Sequence, residues 1–391
     1  MIKCASAYTY EIDNPEDAFE EVKAQLDEKI TLLDNTIGIV TCHPEFVESG
    51  ALKHICESLP FEVVGITTSA QAVDGEFGEL ILTLFVITSD DSSFKAAVTE
   101  CLDAGISEPI KTSVSGMIEE NPGQPGLALV FAPMMLKYAG DTYTQEMTKY
   151  IPNTPIFGSI AIDDTLTYEQ SETIYNGETY RTAMVYVFCY GNIKPRFIVG
   201  TFPDEKAMPY KGEVTKSNGS FVSEINNTSA YKYFESIGFI ENGVLSDNFK
   251  LVPFAVDQIK RTDYDGISVV RGIALFTEDG TAVFRGDIDE GSVFSILTFE
   301  AEDVLSTTRE TLEQVSNLPD VSGALMFTCI GRRIMTMSVG PLAEPETTKG
   351  GICSDIPFMM SYAGGEICPT LIKDGVPTNR YHNYSIVVLV L

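Results

Sequence analysis

Residues 127–131, Leu127-Ala128-Leu129-Val130-Phe131, form an unbroken apolar run, and residues 155–158, Pro155-Ile156-Phe157-Gly158, form a second. Between them Tyr143, Met147 and Tyr150 recur at helical spacing. A short strand that is apolar at every position is usually buried on both sheet faces, and two of them joined by a helix make a strand-helix-strand unit. The same grammar occurs upstream: Ile37-Gly38-Ile39-Val40, a helix with Leu52, Ile55, Cys56 and Leu59 on one face, then Phe61-Glu62-Val63-Val64-Gly65. It returns from Gly323-Ala324-Leu325-Met326-Phe327 to Phe358-Met359-Met360-Ser361-Tyr362-Ala363-Gly364. The paired runs start at comparable separations (37 and 63, 127 and 156, 323 and 358), which suggests repeated lobes with divergent insertions.

Working outward, Asn14-Pro15-Glu16-Asp17 is a helix start: a capping residue, Pro at the first helical position, then acids. Phe19, Val22, Leu26 and Ile30 follow at helical spacing. Asp90-Asp91-Ser92 reads as a cap before a helix carrying Phe94, Val98, Cys101 and Leu102. Thr182 to Cys189, Ile267 to Phe276, Ala282 to Phe284 and Val293 to Thr298 alternate as antiparallel strands, with Asp279-Gly280 as a hairpin turn. Leu305, Thr308, Leu312 and Val315 form the apolar face of a further helix, ended by Asn317-Leu318-Pro319. The polar stretch Lys211 to Asn227 marks a boundary between halves. The expected fold is α/β (mixed α+β): layered strand-helix-strand lobes with added antiparallel β-hairpins.

Composition excludes several classes of function. Lys plus Arg is 26 against Asp plus Glu at 56, a net charge of −30, so nucleic acid and anionic membrane are poor partners. Hydrophobic residues make up 44 %, which separates this acidic chain from disordered ones. The longest apolar run, Ile386 to Leu391, is far short of the ~20 residues of a spanning helix, and Met1 to Tyr10 lacks the pattern of a signal peptide. A soluble, cytoplasmic protein without membrane insertion is expected. The 8 Cys sit mostly within apolar stretches and read as buried, reduced thiols. With no Cys-x-x-Cys pair and His only at 43, 54 and 382, neither a metal site nor a cofactor is expected.

Phosphate-binding, nucleophile-elbow and dinucleotide motifs are absent. Cys42 follows an apolar strand, where a thiolate nucleophile would sit. Its base would have to be His382, because adjacent His43 points elsewhere; the other reading is a buried thiol. Asp163-Asp164 follows a strand end, where open α/β sheets place ligands, although chance acid pairs are common in so acidic a chain. Positive charge is scarce, so Arg271 within Val269-Val270-Arg271-Gly272-Ile273 and Arg332-Arg333 after Cys329 stand out. Each could grip a carboxylate or pair with one of the chain's own acids. The densest polar cluster is C-terminal: Tyr362, Gly364, Gly365 and Glu366, then Tyr381-His382-Asn383-Tyr384. Its glycines permit a close backbone approach, and Glu366, His382 and Asn383 could orient a small polar molecule or hold two loops together.

At these residues the sequence resembles the FIST sensory-domain family. The resemblance rests on Phe249-Lys250-Leu251-Val252-Pro253-Phe254, Val270-Arg271-Gly272, Glu278-Asp279-Gly280, Asp289-Glu290-Gly291-Ser292, the run from Gly323 to Arg332, Gly364-Gly365-Glu366-Ile367-Cys368-Pro369 and His382-Asn383. In the N-terminal half Leu129-Val130-Phe131 and Pro155 to Asp164 are similar, with Ile160 and Ile162 where small residues are expected. The resemblance implies a FIST N-terminal domain over 1–225 and a FIST C-terminal domain over 226–391. It also implies a non-catalytic intracellular sensor of a small ligand, such as an amino acid or related small carboxylate, with a protein signalling partner. The ligand residues expected on this basis are Arg271, Arg332, Tyr362, Gly364, Gly365, Glu366, His382 and Asn383, with Ser159 and Asp163 from the N-terminal half. The competing expectation is a hydrolase or lyase centred on Cys42 or on Glu366 and His382.

Overall fold

The computed structural model describes residues 1–391 except 166, 203, 242, 246–251, 262–263, 299 and 353–354. Phe249-Lys250-Leu251 of the family resemblance and one of the 8 Cys, Cys353, therefore lie outside the described residues. The chain begins with β1 (Ile2–Thr9), α1 (Pro15–Lys29), β2 (Asn35–Cys42), α2 (Glu45–Glu48), α3 (Ala51–Ser58), β3 (Glu62–Thr67), the hairpin β4 (Gln71–Val73) and β5 (Glu76–Gly78), and β6 (Leu82–Ser89). Asn14 caps α1 as expected, its side chain accepting from the amides of Glu16 and Asp17.

The order then repeats. It runs β7 (Ser92–Val98), α4 (Ser107–Glu120), β8 (Leu127–Ala132), α5 (Gly140–Tyr150), β9 (Ile156–Ile160), the hairpin β10 (Thr173–Tyr175) and β11 (Glu178–Tyr180), and β12 (Val185–Gly191). A third unit opens with β13 (Arg196–Gly200) and takes an insertion: β14 (Ala207–Asn218), β15 (Phe221–Ile225), β16 (Thr228–Ser229), α6 (Ala230–Ser236), β17 (Ile240–Glu241), β18 (Val244–Leu245), β19 (Pro253–Asp257), β20 (Val269–Phe276), β21 (Ala282–Phe284) and β22 (Val293–Leu297). It resumes with α7 (Ala301–Ser316), β23 (Ala324–Cys329), α8 (Ile330–Thr336), α9 (Ala343–Thr347), β24 (Phe358–Ala363), the hairpin β25 (Glu366–Lys373) and β26 (Val376–His382), and β27 (Ile386–Val390).

Each unit builds a six-stranded sheet in the same order: β1-β6-β2-β3-β10-β11, β7-β12-β8-β9-β25-β26 and β13-β27-β23-β24-β4-β5. In each sheet the central pair is parallel (β2 with β3, β8 with β9, β23 with β24) and the other pairings are antiparallel. The outer hairpin always comes from another unit. Unit one gives β4–β5 to the third sheet, unit two gives β10–β11 to the first, and unit three gives β25–β26 to the second. Each of these hairpins turns at a residue of positive φ followed by Gly: Asp74-Gly75, Asn176-Gly177 and Asp374-Gly375. That backbone is required by a two-residue turn whose twist matches its strands, and it favours Asn or Asp followed by Gly.

One face of every sheet meets the other two in a shared core, with Ile39, Ile66 and Phe85 from the first, Phe131, Phe157 and Val187 from the second, and Phe327, Met359 and Val387 from the third. Phe327 lies edge-on to Phe131 at 6.2 Å and tilted over Phe157 at 5.7 Å, inside the range of favourable ring pairs. The opposite faces carry helices: α1 and α3 on the first sheet, α4 and α5 on the second, α7 on the third. Burial on both faces explains why the parallel strands read as continuous apolar runs. In the insertion, β14 pairs with both β22 and β15, closing a small antiparallel barrel around Phe234, Phe254, Phe284 and Phe294. The stretch Lys211 to Asn227 falls in the β14–β15 hairpin of this barrel.

Two local expectations are corrected. Asp90-Asp91-Ser92 caps no helix: Ser92–Val98 is a strand paired with β12 at every position, and both aspartates hold the N-terminal amine of Met1. Phe94, Val98 and Leu102 are four apart, a multiple of the strand period as well as a helical spacing, so their pattern fits either element. On α7, Leu305 is only half-buried; Val304 and Thr307 take the inner positions beside Thr308, Leu312 and Val315.

Candidate ligand-binding site

The parallel strands of all three units end close together. Thr68 donates from its amide to Cys42 O and from its hydroxyl to Tyr362 O, the Ile162 amide donates to Thr67 O, and the Gly364 amide donates to Ile160 O. Carboxyl ends of parallel strands are where open sheets bind ligands. Here the ends of β8 and β9 border a pocket of ≈ 130 Å³. Its core wall is the loop from Pro133 to Ala139, the start of α5, Ile160, Gly364 and Tyr381; its opposite wall is the barrel, with Ser220, Leu275, Phe284 and Arg285.

Tyr381 forms the back of the pocket, and glycine makes its seat. A Cβ at Gly140 would overlap its ring, and one at Gly365, where φ is +137°, would overlap its hydroxyl. That hydroxyl donates to Gly364 O at 2.9 Å and accepts from Asn383 Nδ2 at 3.0 Å. Tyr143 is fixed in the same way, donating to Pro133 O at 3.1 Å. Burial holds both phenols well above the ordinary tyrosine range, so they remain protonated donors.

The expected arginines are structural partners of the chain's own acids. Arg271 on β20 is fully buried and takes both carboxylate oxygens of Asp141, in the first turn of α5, at 3.0 and 3.2 Å. It also donates to Tyr381 O at 3.2 Å and to Asp287 O at 3.3 Å, and its guanidinium lies 5.6 Å from the Tyr381 ring centre. The Asp287 amide completes the Asp141 carboxylate at 2.8 Å. Burial pushes the Asp287 side chain up to about 7, helped by the neighbouring Asp141 charge and opposed by Arg271. Barrel, α5 and β26 thus meet at one buried guanidinium.

Arg332 on α8 is equally buried and bound to Glu344 of α9, with Nε to Oε1 at 2.9 Å. Thr308 and Thr328 donate to the same oxygen and the Tyr362 hydroxyl donates to the other, at 3.0 Å. This buried network binds Arg332 and Tyr362 to the chain's own groups.

Glu366 is fully buried, opposite Ser159 across β25 and β9 and opposite His382 across β25 and β26. Neither carboxyl oxygen, nor the Ser159 hydroxyl, nor Asn383 Oδ1 has a hydrogen bond of ordinary geometry. Burial pushes the Glu366 carboxyl far up; Arg332 and the Ser385 amide pull it down and Glu344 pushes it further. His382 Nε2 lies 3.0 Å from Cys368 O, and burial lowers its pKa to about 4. Asp163 accepts from the Thr165 amide and hydroxyl and from the Gln170 amide, which ties its own loop. The structure therefore gathers Gly364, Gly365 and Asn383 around Tyr381 at the pocket, joins Arg332 to Tyr362 elsewhere, and sets Asp163 apart.

The Cys42 constellation does not assemble. Its thiol is buried and held well above the ordinary range, foremost by that burial, and His43 turns its two nitrogens to the Glu45 amide and to Asp164. Arg285 is the pocket residue that sequence reading passed over. It follows Phe284 at the end of β21, lines the pocket, and has no ion-pair or hydrogen-bond partner for its guanidinium among the described residues. The available signal was a lone Arg beside a hairpin in an arginine-poor chain.

The FIST N domain matches residues 36–228 and the FIST C domain matches residues 230–369. An uncharacterized protein of Methanocaldococcus jannaschii is 26 % identical over 196 residues, which are 47 % of this chain and 37 % of that protein. The chain thus spans little more than a third of that relative's length. Among solved structures, PurLQS from Thermotoga maritima aligns over 100 % of this chain and 72 % of its own at 11 % identity, with a TM-score of 0.18, too low to relate the folds. FIST domains are sensory domains of signal transduction. Among the described residues no helix is long and apolar enough to cross a membrane. Matched in order by both models over most of its length, the chain belongs to the FIST family.

Proposed function

We propose that the protein is a sensor whose small-molecule ligand binds in the pocket beside Tyr381 and draws the inserted barrel and the three-sheet core together. The observation that carries this reading is the composition of the pocket walls: Met134, Gly364 and Tyr381 belong to the core, while Leu275, Phe284 and Arg285 belong to the barrel. A ligand that touches both bodies favours their docked arrangement by the difference in its affinity for docked and separated states. A protein partner that reads the barrel's position would receive the signal. The proposed setting is the cytoplasm, where the seven described cysteines, all unpaired, stay reduced. The two halves, divided near residue 225, act together, because the pocket takes residues from both.

The chain has no Trp, so Leu136→Trp introduces a lone fluorophore at a pocket-lining position that is 85 % exposed. Titration with amino acids, small carboxylates and amines should change its emission for at least one compound. The same compound should stabilise the unsubstituted protein by about 2.7 kcal/mol at ~100 times its dissociation constant. Leu275→Trp, which fills the pocket mouth from a half-exposed site, should abolish that stabilisation. Undiminished stabilisation in Leu275→Trp would place the ligand elsewhere.

A further inference from the structure

The pocket lining does not share the charge of the chain. Acids outnumber bases by 56 to 26 overall, yet among the described residues no Asp or Glu lines the pocket and Arg285 is its single charged residue. Unlike Arg271 and Arg332, Arg285 has no acid partner among the described residues, although the chain is rich in candidates. Arg285 is exposed on the rim of this half-open, largely apolar pocket, where its planar guanidinium can take a carboxylate with two parallel hydrogen bonds. The first turn of α5 adds to this: Ala139 and Gly140 line the pocket, and no side chain caps the helix. Its positive end favours a negative group there.

The same lining offers little to an ammonium group. Of the backbone acceptors at the pocket, Pro133 O already takes the Tyr143 hydroxyl and Gly364 O already takes the Tyr381 hydroxyl. Asp141, next to Gly140, spends its carboxylate on Arg271 and the Asp287 amide. An ammonium would therefore be desolvated without an acid partner, beside Arg285 and a helix N-terminus, an arrangement that costs free energy twice. Most of the remaining lining is apolar, with Met134, Met135, Leu275 and Phe284, while Tyr138 and Ser220 add hydroxyl-bearing side chains; thioether side chains adapt to varied shapes.

Resting on the pocket as the ligand site, we infer that the ligand is a compact organic monoanion with an apolar body. Its acid group pairs with Arg285 and its body lies against Met134, Met135 and Leu275; an α-amino group on the same skeleton is rejected. The volume of ≈ 130 Å³ limits the body to a short chain or a single ring, since it equals the space of about four waters at ~30 Å³ each.

The test uses three compounds on one skeleton, hexanoate, hexanamide and L-norleucine, titrated by calorimetry into the full chain and into Arg285→Gln, Arg285→Lys and Leu275→Trp. Hexanoate should bind the unsubstituted protein and weaken about tenfold or more in Arg285→Gln, with partial recovery in Arg285→Lys. Hexanamide and norleucine should bind at least about tenfold more weakly than hexanoate. Binding of the amide or of norleucine as tight as that of hexanoate, if lost in Leu275→Trp, overturns the monoanion and leaves the pocket standing. Hexanoate affinity unchanged in Arg285→Gln overturns the role of Arg285. No binding by any of the three, or binding that survives Leu275→Trp, overturns both the ligand class and the site.

Discussion

Arg271 and Asp141, separated by 130 residues in sequence, meet through two hydrogen bonds of 3.0 and 3.2 Å, and this pair fastens the inserted barrel to the helix that borders the pocket. Neither residue reaches the ligand space; they set the distance between its two walls. Removing one partner strands a buried charge, so Arg271→Ala should cost about 3–5 kcal/mol in urea unfolding. The double substitution Arg271→Met with Asp141→Leu should recover most of that loss, because it removes both charges. A single substitution costing under ~1 kcal/mol would show that the pair is not the fastening.

Asp287 gives the same junction a pH dependence. Its side chain titrates near 7, pushed up first by burial and then by Asp141, with Arg271 and a hydrogen bond from Gln145 acting the other way and Asp289 adding a small upward push. A carboxyl whose folded pKa exceeds its unfolded value stabilises the fold below its unfolded pKa of about 4, and that contribution is lost as pH rises through the folded value. The melting temperature of the unsubstituted protein should therefore fall relative to that of Asp287→Asn between pH 5 and pH 8. Parallel curves across that range would mean that Asp287 is ionised throughout.

The fully buried, strongly raised carboxyl of Glu366 makes an unusual forecast for an acid. Glu366→Gln keeps the shape of the protonated acid, so near pH 4, where both the folded and the unfolded carboxyl carry their proton, its stability should lie within about 1 kcal/mol of the unsubstituted protein. As pH rises above the unfolded carboxyl pKa of about 4, the variant should become the more stable of the two, because the unfolded chain then releases a proton that the raised folded carboxyl must keep. Destabilisation of several kcal/mol at pH 7 would show instead that an ionised Glu366 holds the fold.

Thiol reactivity separates the sensor from a cysteine hydrolase. Cys101 is the exposed cysteine among the seven described, and Cys42 is buried with its thiol held far up. A disulfide reagent at neutral pH should modify Cys101 first, and Cys101→Ser should remove that fast phase. A fast phase that persists in Cys101→Ser and disappears in Cys42→Ser would restore the nucleophile.

Local signals carried far in the sequence. The Asn14-Pro15 cap and the six apolar strands of the parallel pairs were legible because each depends on a few adjacent residues and on burial from both faces. The three turns at Asp74-Gly75, Asn176-Gly177 and Asp374-Gly375 went unread beside the Asp279-Gly280 turn, and their significance lies in where the hairpins go. That destination was hidden, because the sheet a hairpin joins is settled by long-range pairing. The arginines show the same limit. Arg271 and Arg332 were read as ligand grips because a sequence does not display which acid is opposite, whereas Arg285 gains its meaning only from the absence of such an acid.

The passing of hairpins from unit to unit has a further consequence. An open stack of repeats needs special end units to shield its exposed faces, and it can fray from either end. Here no unit is terminal: without unit two, the first sheet loses β10–β11 and the third unit's β25–β26 loses the sheet it completes. Loss of any one unit thus damages two sheets, and the physical corollary is a single cooperative transition in which the three sheets unfold together.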